Sequence, residues 1–120
     1  MKNVVVIGAS AKPERYSNKA IKMLSEYGHN PIPIAPLAKE ILGYPALPTL
    51  SAVSAPVDTV TMYVGSERQT HLIEPIVSLH PKRVIFNPGA ENPDHYERLP
   101  NAGIDVVEAC TLVLLRTGQF

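Results

Sequence analysis

The feature that most constrains this chain is its opening, Val4-Val5-Val6-Ile7-Gly8-Ala9-Ser10, followed by a polar loop to Ser17-Asn18. An unbroken β-branched run has no polar face, so it reads as a strand buried on both sides, the habit of parallel sheets. The glycine and small residues that end it let a ligand approach the backbone. A helix expected to begin near Ser17 leaves its first N–H groups free beside that turn, an arrangement that suits a phosphate or pyrophosphate. The dinucleotide fingerprint requires three glycines in the order G-x-G-x-x-G. Here those positions are Gly8, Ser10 and Pro13, so the turn disfavours an ordinary NAD site.

The rest of the chain alternates between strand-like and helix-like segments. Lys2 to Ile7 is the first strand. Ala20, Ile21, Leu24 and Tyr27 then recur at helical spacing over Asn18 to Tyr27, with Ser17 as the expected cap and Gly28 as the stop. His29 to Pro36 is expected as a second strand. Its prolines exclude a helix and disfavour a central place in a sheet, since each removes a ladder donor. Leu37 to Pro48 reads as a loop with one short turn, and Thr49 or Ser51 as the cap of a single helical turn through Val53. Val57 to Val64 is the third strand. Gly65-Ser66 opens a helix that Pro75 kinks or splits. Arg83 to Asn87 is the fourth strand, Asn92-Pro93 starts a short helix through Leu99, and Ile104 to Val107 is the fifth strand. A last short helix follows Cys110.

Strands alternating with helices predict an α/β fold, a doubly wound, Rossmann-like parallel sheet of about five strands with helices on both faces. Ligands in such sheets bind beyond the carboxyl ends of the strands, where strand order reverses. The chain of 120 residues is expected to be one domain, residues 1–120, and its 45% hydrophobic content fits a globular core. Equal numbers of acidic and basic residues, 11 each, disfavour a general nucleic-acid binder. No stretch has the length or apolarity of a membrane span or a signal peptide, and the single cysteine, Cys110, excludes an internal disulfide; a reducing cytoplasm is the expectation. His29, His71, His80 and His95 lack zinc-ligand spacing, so no metal site is expected. Cys110 reads as a small packed residue, with no histidine near it in sequence to activate it. Asp94 fits the first turn of a helix rather than acid–base work.

The strand ends also carry a family resemblance. Gly8-Ala9-Ser10 with Tyr16-Ser17-Asn18-Lys19 resembles the "GAS…Y-x-N-K" opening of the small stand-alone CoA-binding proteins. Ile34-Ala35-Pro36 resembles their "V-N-P", Glu40-Ile41-Leu42-Gly43 their "E-I-L-G", and Pro56-Val57-Asp58 their "P-V-D". Gly89-Ala90-Glu91-Asn92 resembles "G-V-E-N", and Ala102-Gly103-Ile104-Asp105-Val106-Val107 resembles "A-G-L-D-V-V". The order is kept along essentially the whole chain. The same fold is similar to the CoA-binding domain of the succinyl-CoA synthetase alpha subunit.

That resemblance implies a coenzyme A or acyl-CoA ligand. It implicates Gly8, Ala9, Ser10, Ser17 and Asn18 at the first turn, Pro36 and Lys39 after the second strand, Tyr63 and Val64 after the third, and Asn87, Pro88 and Gly89 after the fourth. It implies no catalytic residue; the expected role is a carrier, sensor or cofactor-handling module, with a protein partner left open. Three departures mark this chain: Leu37 stands where relatives carry a basic residue, Glu108-Ala109-Cys110 replaces "D-R-C", and Leu114-Leu115 replaces "E-H". Two other readings compete. One is an NAD(P)-binding oxidoreductase-like domain, against which stand the missing glycines and the absence of Asp or Glu near Ala35-Pro36. The other is a degenerate domain that has become a protein-interaction module.

Overall fold

A computed structural model describes all 120 residues. In chain order the elements are β1 (Asn3–Ile7), α1 (Tyr16–Glu26), β2 (Asn30–Ile34), β3 (Glu40–Ile41), β4 (Tyr44–Pro45), β5 (Thr59–Met62), α2 (Ile73–Leu79), β6 (Arg83–Phe86), α3 (Arg98–Asn101), β7 (Asp105–Glu108) and α4 (Thr111–Arg116). Single 3-10 turns lie at Leu50–Ala52, Ser66–Arg68, Thr70–Leu72 and Pro93–His95. Five strands form one parallel sheet in the order β2-β1-β5-β6-β7. This is the doubly wound, Rossmann-like α/β fold that the alternation predicts.

The β-branched opening explains itself in this sheet. Side chains of a strand alternate between faces, and both faces of β1 are covered. Val5 and Ile7 pack with Val60, Met62, Val84 and Phe86 beneath Ile73 and Ile76 of α2. Val4 and Val6 pack on the other face with Ile21 and Leu24 of α1 and Leu115 of α4. Helices α1 and α2 therefore lie on opposite faces. No helix is long and apolar enough to cross a membrane.

Several expectations shift at the element ends. Ser17 does not cap α1: it is buried inside the first turn, and Arg15 holds the cap position without a side-chain hydrogen bond. The helix does stop at Gly28, whose φ of 83° lets its N–H and that of His29 reach the carbonyls of Ser25 and Leu24. The segment from Leu37 to Pro48 holds more than a single turn. Leu42 and Gly43 both take positive φ, 52° and 83°, and close a hairpin in which Ile41 pairs with Tyr44.

The helix expected from Ser66 is broken into two 3-10 turns before α2, and Pro75 sits in the first turn of α2, where its missing N–H costs little. Asn92 does cap the turn after it, accepting from the Asp94 N–H at 3.3 Å. Ile104 closes α3 by donating to the Leu99 carbonyl, so the last strand starts one residue later than its hydrophobicity indicates.

The prolines of β2 are explained by its position at the sheet edge. Asn30 donates to Lys2 on the β1 side, which puts residues 31 and 33 in the outward phase, and both are prolines. Beyond them, Leu47 runs alongside: its N–H donates to Pro33 and its carbonyl accepts from Ala35, each at 2.9 Å.

Candidate functional site

Strand order reverses between β1 and β5. The chain leaves β1 toward α1 on one face and leaves β5 toward α2 on the other, so a crevice opens between the two exits. A cleft of about 1170 Å³ occupies that place. Its volume suits a ligand larger than a drug-sized molecule, whose pockets run about 300–1,000 Å³.

The floor is the turn after β1. Gly8 takes φ 84°, and a Cβ there would lie 3.1 Å from Val64 Cγ2 and 3.2 Å from the Tyr63 carbonyl carbon. Only glycine lets the β1 and β5 exits close up this tightly. The loop beyond is pinned. Ala9 donates to Ile34 at 3.3 Å, Ser10 Oγ accepts from the Lys12 N–H at 3.1 Å, and Asn18 Nδ2 donates to the Ser10 carbonyl at 2.9 Å. Tyr16 and Ser17 bring the uncapped start of α1 to the cleft wall. Backbone N–H groups and the positive end of the helix dipole thus meet there.

Beneath the β5 and β6 exits lies a buried polar knot. Asn87 Nδ2 donates to Thr61 Oγ1 at 2.7 Å and to the Met62 carbonyl at 2.9 Å, and its Oδ1 accepts from the Thr111 N–H at 2.9 Å. Thr61 and Thr111 share a 2.8 Å hydrogen bond. This knot locks the start of α4 to the sheet. The Tyr63 hydroxyl is buried close by without a partner, and burial pushes its pKa up to about 12, so it is a neutral phenol at any physiological pH. A smaller recess of about 220 Å³ adjoins the cleft through Tyr16, Tyr63 and Pro88 and reaches Asn87, Cys110 and Leu112.

Of the residues singled out in the sequence, Gly8, Ala9, Ser10, Ser17, Pro36, Tyr63, Val64 and Pro88 line the cleft. Asn18 and Asn87 stand behind it as braces. Gly89 donates its N–H to Glu91 Oε1 at 2.8 Å and lies outside the lining. Lys39 is exposed at the base of the β3–β4 hairpin, where its carbonyl accepts from Ala46, and it does not line the cleft.

The charges that line the cleft carry no periodic signal in the sequence: Lys12 and Arg15 from the first loop and Arg68 from the 3-10 turns before α2, with the imidazole of His71 in the same lining. No Asp or Glu lines it, in a chain whose formal charge is zero. The one available signal was the basic pair inside the polar loop after the first strand. No group of three His, Cys, Asp or Glu side chains is placed to hold a metal.

The sheet order and the switch-point cleft place the protein in the Rossmann-like α/β class. Within that class the chain belongs to the CoA-binding domain family, whose sequence model matches residues 2–116. A crystal structure of an uncharacterized protein superposes on the whole chain with a TM-score of 0.94 at 40% identity, covering 98% of that protein. The Bacillus subtilis protein YneT is 27% identical over 106 residues, which is 88% of this chain and 78% of YneT. The dinucleotide-forming acetyl-coenzyme A synthetase 1 of Ca. Korarchaeum cryptofilum, solved with phosphate and ADP, has the same fold over 90% of this chain and 25% of its own, with a TM-score of 0.78 at 24% identity.

Proposed function

We propose that this protein binds coenzyme A or an acyl-CoA in the cleft at the strand ends, and that it holds the ligand rather than converting it. One observation carries the reading beyond family membership: the large cleft at the switch point has Lys12, Arg15 and Arg68 in its lining and no carboxylate. The pyrophosphate takes the Gly8-Ala9-Ser10 backbone and the start of α1, with Lys12 and Arg15 beside it. The pantetheine arm follows Tyr63 and Pro88 toward the recess at Cys110.

A handling role rests on the surroundings of Cys110. The recess around it contains no imidazole and no carboxylate that would draw off the thiol proton. An NAD site is disfavoured because the end of β2 offers Ala35-Pro36, with no carboxylate for a ribose.

Calorimetric titration with CoA, acetyl-CoA, NAD and ATP tests the reading. CoA or acetyl-CoA is expected to bind at least tenfold more tightly than NAD. Tighter binding of NAD would overturn it.

A further inference from the structure

The basic side chains of the cleft fall into two groups. Lys12 and Arg15 belong to the loop that feeds α1, and Arg68 and His71 belong to the 3-10 turns that feed α2. Because α1 and α2 cover opposite faces of the sheet, the two groups stand on opposite walls. A ligand that satisfies both walls carries two separate anionic centres. Coenzyme A does: a pyrophosphate, and a phosphate on the 3′-oxygen of its ribose. NAD carries only the first.

We propose that Arg68 reads the 3′-phosphate of coenzyme A and so sets the preference of this cleft for CoA over ligands that lack that group. The proposal rests on the reading of the cleft as a CoA site. The pyrophosphate belongs at the Gly8 turn, where bare backbone N–H groups and Lys12 and Arg15 converge. The 3′-phosphate then needs a cation of its own. The end of β2 offers none: Leu37 is fully exposed there, and Lys39 lies outside the cleft.

Arg68 is suited to the task. Its side chain is 71% exposed, and its ion pair with Glu67, at 3.9 Å between two exposed groups, is weak. The planar guanidinium fork is therefore available for a bidentate bond to phosphate. His71 lines the same wall and adds a ring nitrogen.

The test is calorimetric titration of the full chain with CoA and with 3′-dephospho-CoA, for wild type, Arg68→Ala, Arg68→Lys and Lys39→Ala. Arg68 is exposed outside the core, so its replacement leaves the fold intact. Wild type is expected to prefer CoA by about tenfold, the worth of one charge-assisted hydrogen bond. Arg68→Ala should lose that tenfold for CoA and stay within about twofold for dephospho-CoA. Arg68→Lys should keep part of the preference as a point charge, and the preference should shrink as salt rises.

Equal affinities of wild type for the two ligands would overturn the assignment, as would an equal loss for both in Arg68→Ala. Disappearance of the preference in Lys39→Ala would do the same. Failure of wild type to bind either ligand would instead bring down the CoA reading itself, and this assignment with it.

Discussion

Gly8 shows how closely fold and site are joined at a single residue. Its positive φ turns the chain out of β1, and its missing Cβ lets Tyr63 and Val64 close over it. A side chain there meets two separate penalties: about 1–2 kcal/mol for an L-residue in the left-handed region and about 1–3 kcal/mol for overpacking against Val64 and the Tyr63 backbone. Gly8→Val should therefore lose about 2–5 kcal/mol in urea unfolding and no longer bind CoA. A folded Gly8→Val variant with unchanged CoA affinity would place the ligand elsewhere.

Gly8, Tyr63 and Pro88 were legible in the sequence because each stands within two residues of a strand's end, where topology alone brings it to the cleft. Lys12, Arg15, Arg68 and His71 were not. They stand several residues into connecting segments, and which way such side chains face depends on turns that no periodicity encodes. Lys39 stands at the base of the hairpin that follows β2 and outside the cleft lining, a placement that its proximity to β2 in sequence does not reveal.

At the scale of elements, that hairpin carries a removable strain. Its two-residue turn requires positive φ at both centres, which Asn-Gly supplies with least cost and Leu-Gly does not. Leu42 sits at φ 52° with 51% of its surface exposed, so little burial is lost by changing it. Leu42→Asn should stabilise the fold by about 0.5–1 kcal/mol, a rise of a few degrees in the thermal midpoint for a chain of this size. A lower midpoint would show that the leucine contributes more by packing than it loses to the turn.

The strands of the parallel sheet announced themselves through β-branched runs bounded by glycine and proline. The hairpin did not, because two-residue strands are too short to show alternation. The break before α2 was hidden as well. Leu72, Ile73, Ile76 and Val77 keep helical spacing across it, and buried Gln69 holds it open by donating to the carbonyls of Val64 and Ala90, each at 2.7 Å.

At the scale of the whole molecule, the end of the sheet opposite the cleft is held together by charge and aromatic contact. Phe120 lies against His29 with ring centroids 5.1 Å apart and beneath Arg83 at 4.4 Å. Its carbonyl oxygen accepts from Lys2 Nζ at 2.6 Å and from Arg83 Nη2 at 2.9 Å. Burial, then the charges of Lys2, the N-terminus and Arg83, lower the pKa of His29 from its ordinary 6.5. Just below pH 6.5 the unfolded chain therefore binds more protons here than the folded one, and stability falls as pH drops from 6.5 to the lowered value.

Asp58 adds a second acid loss. Burial works to raise its pKa, but the hydrogen bond from Thr59 and the charges of Lys2, Lys82 and Arg83 outweigh it, so the net shift is downward. The stability it contributes is present above its ordinary 3.8 and is lost as pH falls through the lowered folded value. Urea unfolding across pH should show both declines, and His29→Gln should flatten the upper one alone. An unchanged slope just below pH 6.5 in that variant would assign the upper decline to another group.

The edge of the sheet at β2 has a consequence of its own. A parallel sheet can in principle template further strands at its margin, and unpaired edges are where chains recruit one another into aggregates. Here the outward amide positions of β2 are Pro31 and Pro33, which have no hydrogen to offer, and the Leu47 segment already takes the carbonyl of Pro33. An incoming strand would find neither donors nor a complete row of acceptors. The two prolines that make β2 look unlike a strand in the sequence are what stop the sheet from propagating on that side.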